Sequence, residues 1–286
     1  MTAKLKSPAH SSELKVDFPA DHVLLLTFNR PQSLNAMTPT MSEDLRRVLD
    51  WFEDEPQLCS VSRIYRVAVV TGAGRLFCAG ADLKAWNNAQ HENKRDEQAR
   101  IVGDVHGFGS ISRRQSIKPI IAAVSGGAYG GGTEIVLNCD IVIAGTGAKF
   151  ALPEVKRGVV AAQGGIPRLA QIAGHQLASE MLLLGRVVDA AEAHTRFGFV
   201  NRVVPPSDVL PTALTVAQQI IANSPDAVQS TKEGLLISQK HDYHQTLLTH
   251  VGSRSSARVY GGVNIKEGLR AFSEKRAPVW KNPAKL

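Results

Sequence analysis

Cysteine is scarce: Cys59, Cys78 and Cys139 are the only three among 286 residues, an odd number with no CxxC spacing. That argues against a disulfide framework and a thiolate zinc site, and fits a reducing intracellular setting. Long apolar runs are missing too. None reaches the roughly 18 residues of a membrane span, and the N-terminus carries no signal-peptide core. His241 and His244 share a helix-face spacing with His250 nearby, but no HExxH pattern surrounds them, so a hydrated face is preferred to a metal site. Gly72 and Gly74 lack the third glycine of a dinucleotide fingerprint. Neither a Walker lysine motif nor a GxSxG elbow occurs, which disfavours nucleotide hydrolysis and serine-hydrolase chemistry. No RNP-like aromatic motif or long basic run marks a nucleic-acid reader.

What is present is an ordinary globular composition, 43% hydrophobic, enough at this length for one sizeable core. Lys and Arg outnumber Asp and Glu by 33 to 26, a formal charge of +7. Such a surplus suits an anionic ligand, a nucleic acid or solubility alone, and does not choose among them.

Along the chain, Met1 to Ala20 is polar and aperiodic and reads as a loose leader, with folded structure starting near Asp21. His22 to Phe28, Val67 to Thr71, Lys118 to Val124 and Asp140 to Ala144 read as strands. Leu45, Val48, Leu49 and Phe52 follow a helical stripe after Thr38-Pro39. Asn87 to Arg113 begins polar and turns helical, with Ile101, Val102, Val105 and Phe108 expected to face inward. Leu177 to Leu184 is helical, and Asp189 with Glu192 makes a capping-box pattern for a helix ending near Gly198. Ser207 to Asn223 carries Leu210, Leu214, Ala217 and Ile221 on one face, an amphipathic helix followed by Pro225.

The densest signal lies between Ser125 and Glu154. Gly130, Gly131 and Gly132 precede Thr133-Glu134-Ile135-Val136-Leu137, so a bare backbone opens a short buried helix. Such a start offers unpaired N–H groups and a positive dipole end, and glycines there suit a ligand atom approaching the main chain. Glu134 falls in the first turn, and Glu154 follows Pro153 after a strand; two converging carboxylates can do general acid and base work. The bland reading is a tight bend with Glu134 complementing the helix dipole. A second glycine element, Ala79-Gly80-Ala81-Asp82 at the exit of the Val67 strand, strengthens the functional reading, because two such elements can share one oxyanion.

These stretches, with NRPQSLNAM at Asn29 to Met37, FCAGADLK at Phe77 to Lys84 and FALPEVKRGVV at Phe150 to Val160, resemble the crotonase superfamily typified by enoyl-CoA hydratases. The similarity runs from about Asp21 to Lys281. It implies an α/β fold, a crotonase-like spiral of ββα units with a C-terminal helical region: residues 1–20 as leader, 21–205 as core, 206–286 as helices that assemble trimers or dimers of trimers. It also implies an acyl-CoA thioester as substrate, with coenzyme A part of that substrate and neither cofactor nor metal required. By the same resemblance, Ala81 and Gly131 form the oxyanion hole, and Glu134 and Glu154 are the catalytic pair. Glu134 would activate water and Glu154 would exchange the proton at the α-carbon. Ala81, Asp82, Leu83 and Lys84 would line the CoA path with Gly131, and Phe272 and Lys275 would approach it from the C-terminal segment.

Two glutamates favour hydration of a 2-enoyl-CoA, or the reverse dehydration, over isomerisation, which needs only one. A departure stands at AAQGGIPRL, Ala161 to Leu169, where Ala162 replaces a family glycine whose N–H helps hold the water. The PEVKRGVV segment resembles branches acting on carnitinyl-CoA or other unusual acyl groups. An isomerase, or a dehydratase of a specialised acyl-CoA, is the alternative, and a non-catalytic RNA-binding relative is the alternative of another class. Ala284-Lys285-Leu286 resembles a peroxisomal address, which would make the import receptor a partner; the cytoplasm or mitochondrion is otherwise expected.

Overall fold

A computed structural model describes residues 7–54, 66–83, 86–87 and 97–283. Nine strands occur among them: β1 (Leu14–Ala20), β2 (Val23–Phe28), β3 (Val67–Gly72), β4 (Ile120–Val124), β5 (Gly127–Tyr129), β6 (Ile141–Gly145), β7 (Lys149–Ala151), β8 (Val187–Asp189) and β9 (Arg202–Val204). A six-stranded sheet has the order β1-β2-β3-β4-β6-β9, and β5-β7-β8 form a smaller one. Only the β1–β2 hairpin of the large sheet is antiparallel; β2 through β9 pair in parallel.

The parallel strands are apolar almost without interruption because both faces are covered. Leu24, Leu26, Phe28, Ala68, Val70, Ala122 and Val124 enter the larger core. Val23, Leu25, Val67, Val69, Ile121 and Ala123 enter a second core behind the sheet. Register keeps the faces in phase, pairing Leu24 with Ala68 and Leu25 with Val69. On the first face lies α1 (Pro39–Asp54), which buries Leu45, Val48, Leu49 and Phe52 and is opened by the Thr38 hydroxyl accepting from Met41 N at 3.0 Å. A short α2 (Glu97–Gly103) follows, then the ββα unit of β4, β5 and α3 (Gly131–Asn138). Next, β6 and β7 lead to α4 (Gly165–Ala173) and α5 (His175–Leu184). Asp189 caps the turn after β8 by accepting from Glu192 N, and Gly198 closes that segment in the left-handed region.

Four further helices make the C-terminal bundle beyond α6 (Val209–Ile221): α7 (Pro225–Ser238), α8 (Tyr243–Val251), α9 (Arg254–Gly261) and α10 (Val263–Ser273). Among the described residues no helix is long and apolar enough to cross a membrane.

Three expectations are corrected. Leu14–Ala20 is not leader but an edge strand, paired Leu14 to Phe28, with Ser11 bonded to Asp44 on α1. Its alternating LKVDFPA buries Leu14 and leaves the rest largely open, so composition alone disguises it. Val102 and Val105 point outward, 80% and 76% exposed, because α2 ends at Gly103 and the stripe breaks. In α6 the fully buried face is Val209, Ala213, Val216 and Ala217, while Leu210, Leu214 and Ile221 pack at its flank. This helix seals the back of the sheet, so the core does not stop at residue 205. Lys84 and the Ala284-Lys285-Leu286 tail lie outside the described residues.

The C-terminal bundle is fastened by an ion pair between a buried ammonium and a more open carboxylate. Lys232 on α7 donates to Asp140 Oδ2 at 2.7 Å and to Lys118 O at 3.0 Å, and the same carboxylate oxygen accepts from Ile120 N at 2.7 Å. Removing the carboxylate strands a buried ammonium, which typically costs a few kcal/mol. Asp140→Ala should therefore lower unfolding free energy by about 2–3 kcal/mol in urea titrations. A loss below about 0.5 kcal/mol would show that Lys232 reaches water freely.

Candidate active site

The site is built from two loops pressed together backbone to backbone. After β3, the chain turns so that Cys78 bridges Ala128 and Ala81 bridges Met37, both in parallel. Met37 N donates to Gly80 O at 2.8 Å and Asp82 N to Met37 O at 3.1 Å. Because alternate peptide groups of an extended segment face opposite ways, the Ala81 N–H turns away from Met37. Across from it, Gly130 caps α3 with φ 54°, a left-handed conformation that suits glycine. A Cβ on Gly132 would stand 2.5 Å from Cys78 O, and one on Gly131 would stand 2.5 Å from the Phe108 ring. The glycine run is thus required by conformation at one position and by close approach at the next two. Gly130 N donates to Ala151 O, and Thr133 N and Glu134 N to Gly130 O. Among the described residues, the N–H groups of Ala81 and Gly131 make no such bond.

Both N–H groups belong to residues lining a cavity of about 680 Å³ that also reaches Glu134 and Glu154. Glu134, on the first turn of α3, is 3% exposed. Its Oε1 accepts from Gln163 N and Gly165 N, each at 2.9 Å. Burial pushes its carboxyl up to about 7; the two N–H groups restrain that rise and the nearby Glu154 charge adds to it. Glu154 opens a one-turn helix, Glu154–Arg157. Its Oε1 would lie 3.1 Å from a Cβ on Gly130, so the carboxylate sits over the start of α3. Its Oε2 is buried without a partner, and desolvation raises its pKa as well. Burial thus disfavours ionisation of both carboxyl groups in one cavity, and the charge of Glu154 adds to the rise of Glu134.

Of the other predicted site residues, Asp82 and Leu83 line the cavity, Asp82 in an ion pair with Arg30 at 3.4 Å. Phe272 and Lys275 do not. Both are exposed, Phe272 at 84%, and a single chain does not bring them to the cavity. The Ala162 N–H, expected at the water, donates to Val160 O at 2.8 Å instead. Its place beside the carboxylate is taken by Gln163 and Gly165. Sequence reading passed over Gln163, although a polar side chain among the small and apolar neighbours of AAQGGI was a visible signal. It also passed over Trp86, which lines the cavity with its Nε1 buried and unpaired among the described residues. Among those residues no cluster of three or more His, Cys, Asp or Glu could hold a metal ion.

A family model described as enoyl-CoA hydratase/isomerase matches residues 20–283. A mevalonyl-coenzyme A hydratase of Aspergillus fumigatus is 42% identical over 271 residues, covering 95% of this chain and 95% of that protein. A carnitinyl-CoA dehydratase of Escherichia coli is 36% identical, covering 91% and 95% respectively. The crystal structure of an enoyl-CoA hydratase from Mycobacterium tuberculosis superposes with a TM-score of 0.82 at 34% identity, covering 95% of this chain and 99% of that one.

The raised carboxyl of Glu134 has a consequence for stability. Its folded pKa of about 7 exceeds the usual 4.5, so the native state binds the proton more tightly than the unfolded chain between those values. Its contribution is complete below about pH 4.5 and is lost as pH rises through about 7. Stability of the native protein should fall with rising pH across this window, at up to about 1.4 kcal/mol per pH unit from this group. Glu134→Gln should flatten the slope in denaturant titrations at successive pH values; an unchanged slope would place the titration elsewhere.

Proposed function

The chain belongs to the enoyl-CoA hydratase/isomerase family, and on that premise we propose that it interconverts a specialised 2-enoyl-CoA with its 3-hydroxyacyl-CoA, the acyl group being of the branched, hydroxylated mevalonyl kind. Hydration and dehydration chemistry on an acyl-CoA is common ground for its relatives. The convergence of two buried carboxyl groups and two unengaged N–H groups on one cavity is the observation that carries the reading.

In the hydration direction, the thioester oxygen accepts from Ala81 N–H and Gly131 N–H, which draws electrons toward it. Glu134, ionised and steered by Gln163 N and Gly165 N, takes a proton from water as the water oxygen bonds to C3. The C2–C3 π electrons pass through the carbonyl to the thioester oxygen, giving an enolate that the two N–H groups stabilise. The enolate collapses by taking a proton from Glu154 at C2. Water has been added, and the single proton of the carboxyl pair has changed sides. Dehydration runs the same steps backwards. The unpartnered Oε2 supports Glu154 as the acid, since no donor there stabilises its anion, whereas two N–H groups donate to Glu134.

The specialised acyl group is supported by the 42% identity with the mevalonyl-coenzyme A hydratase, above the 34% of the superposed enoyl-CoA hydratase. Loss of the conjugated thioester absorbance should be fast with 5-hydroxy-3-methylpent-2-enoyl-CoA and slow with crotonyl-CoA. Glu134→Gln and Glu154→Gln should each lower kcat by about 10²- to 10⁴-fold while acyl-CoA binding persists. Turnover retained in either variant would refute the paired-carboxylate mechanism.

We also propose that the C-terminal helices join copies of the chain into a trimer. Leu247, Leu248 and Val251 on α8 and Phe272 on α10 are exposed apolar side chains that a neighbouring copy would cover. Such assembly is the route by which Phe272 and Lys275 could meet a bound CoA. Light scattering should give the mass of three chains or six; a monomer at micromolar concentration would discard the assignment.

A further inference from the structure

The cavity holds a polar side chain that the proposed reaction does not use. Gln163 lines it, is only 8% exposed, and has its Oε1 buried without a hydrogen-bond partner. A buried amide left in that condition typically costs about 1–3 kcal/mol. The backbone of Gln163 is pinned on both sides: its N–H donates to Glu134 Oε1 at 2.9 Å and its C=O accepts from Ser112 Oγ at 2.6 Å. With both peptide groups engaged, the backbone that carries the carboxamide is anchored beside the Glu134 carboxylate.

We infer that the Gln163 carboxamide is a specificity element that recognises a neutral hydroxyl of the acyl group, placed beyond the carbon that gains or loses water. The inference rests on the hydratase reading. Position supports it first. The Gln163 N–H touches Glu134, which works at C3, so the side chain is rooted at the acyl end of the cavity and not at the thioester, where Ala81 and Gly131 stand. Surroundings support it next. Val159, Val160 and Ala162 line the cavity close by in sequence, and their side chains offer no hydrogen bond. A plain hydrocarbon tail would leave the amide dry. A tail bearing an anion would be drawn to the arginines that line the same cavity, Arg46, Arg100 and Arg157, and a cation to the glutamates, each in preference to a neutral amide. A hydroxyl both donates and accepts, so it can satisfy either edge of a carboxamide.

The test uses the full chain and two thioesters that differ only in the distal hydroxyl, 5-hydroxy-3-methylpent-2-enoyl-CoA and 3-methylpent-2-enoyl-CoA, each followed by loss of conjugated absorbance. The native protein should prefer the hydroxylated thioester by at least about tenfold in kcat/KM, because a buried polar group left unpaired penalises the analogue. In Gln163→Met, of similar length but without a strong hydrogen-bonding group, that ratio should fall to near one, and Gln163→Ala should behave likewise. Thermal unfolding of each variant shows whether it remains folded. An undiminished ratio in a folded variant would overturn the role of Gln163 and leave the hydratase reading intact. Equal rates on both thioesters with the native protein would also overturn it, independently of any variant. Hydration of neither thioester, or of crotonyl-CoA, would remove the hydratase reading and this inference with it.

Discussion

The structure depends on one close approach, the contact of the Cys78–Asp82 loop with the Gly130–Gly132 start of α3. A Cβ on Gly80 would stand 2.9 Å from Tyr129 O, and one on Gly126 would be 1.7 Å from Arg75 O. A side chain at Gly80 or Gly132 would hold the two loops apart by more than a hydrogen bond can tolerate. The seam therefore sets the spacing of Ala81 and Gly131, and through α3 it sets where Glu134 points. Behind it, apolar layers cover both faces of the parallel strands.

Electrostatically, the site works against ordinary carboxylate behaviour. Glu134 is deeply buried, yet it is given two N–H donors on one oxygen and none from a charged partner at bonding distance. Glu154 receives no donor at its buried Oε2. Hydrogen bonding thus separates the two, with two donors to Glu134 and none to the buried Oε2 of Glu154, while burial raises both carboxyls and takes Glu134 up to about 7. A stronger counter-ion would have fixed both as anions and removed the acid from the pair. Arg113 weakly opposes the rise of Glu134 and spends its hydrogen bonds on Ile101 O and Asp104 O.

Much of this was legible in the sequence, and the exceptions have physical reasons. Strands β2, β3, β4 and β6 announce themselves because burial on both faces demands uninterrupted Val, Ile, Leu and Ala. The glycine run and the two glutamates are legible because few other purposes bring them together. Strand β1 is hidden because an edge strand buries little, and Val102 and Val105 mislead because apolar residues on a short helix need not follow one face. Ala162 was placed by likeness to a glycine, but where an N–H points depends on the turn around it, which no residue type reports. Phe272 and Lys275 gain meaning only from surroundings beyond one chain. Gln163 was legible but silent, since its importance lies in the partner it lacks.

The sealing of the sheet by α6 bears on how the chain is made. Val23, Leu25, Val67 and Val69 emerge from the ribosome long before Val209–Ile221, the helix that covers them. At about 5–20 residues per second, the back of the growing sheet waits several seconds or more for its cover. During that interval it presents a broad oily surface to everything in the cell. Slow translation between residues 145 and 209 lengthens that exposure and so works against a high folding yield.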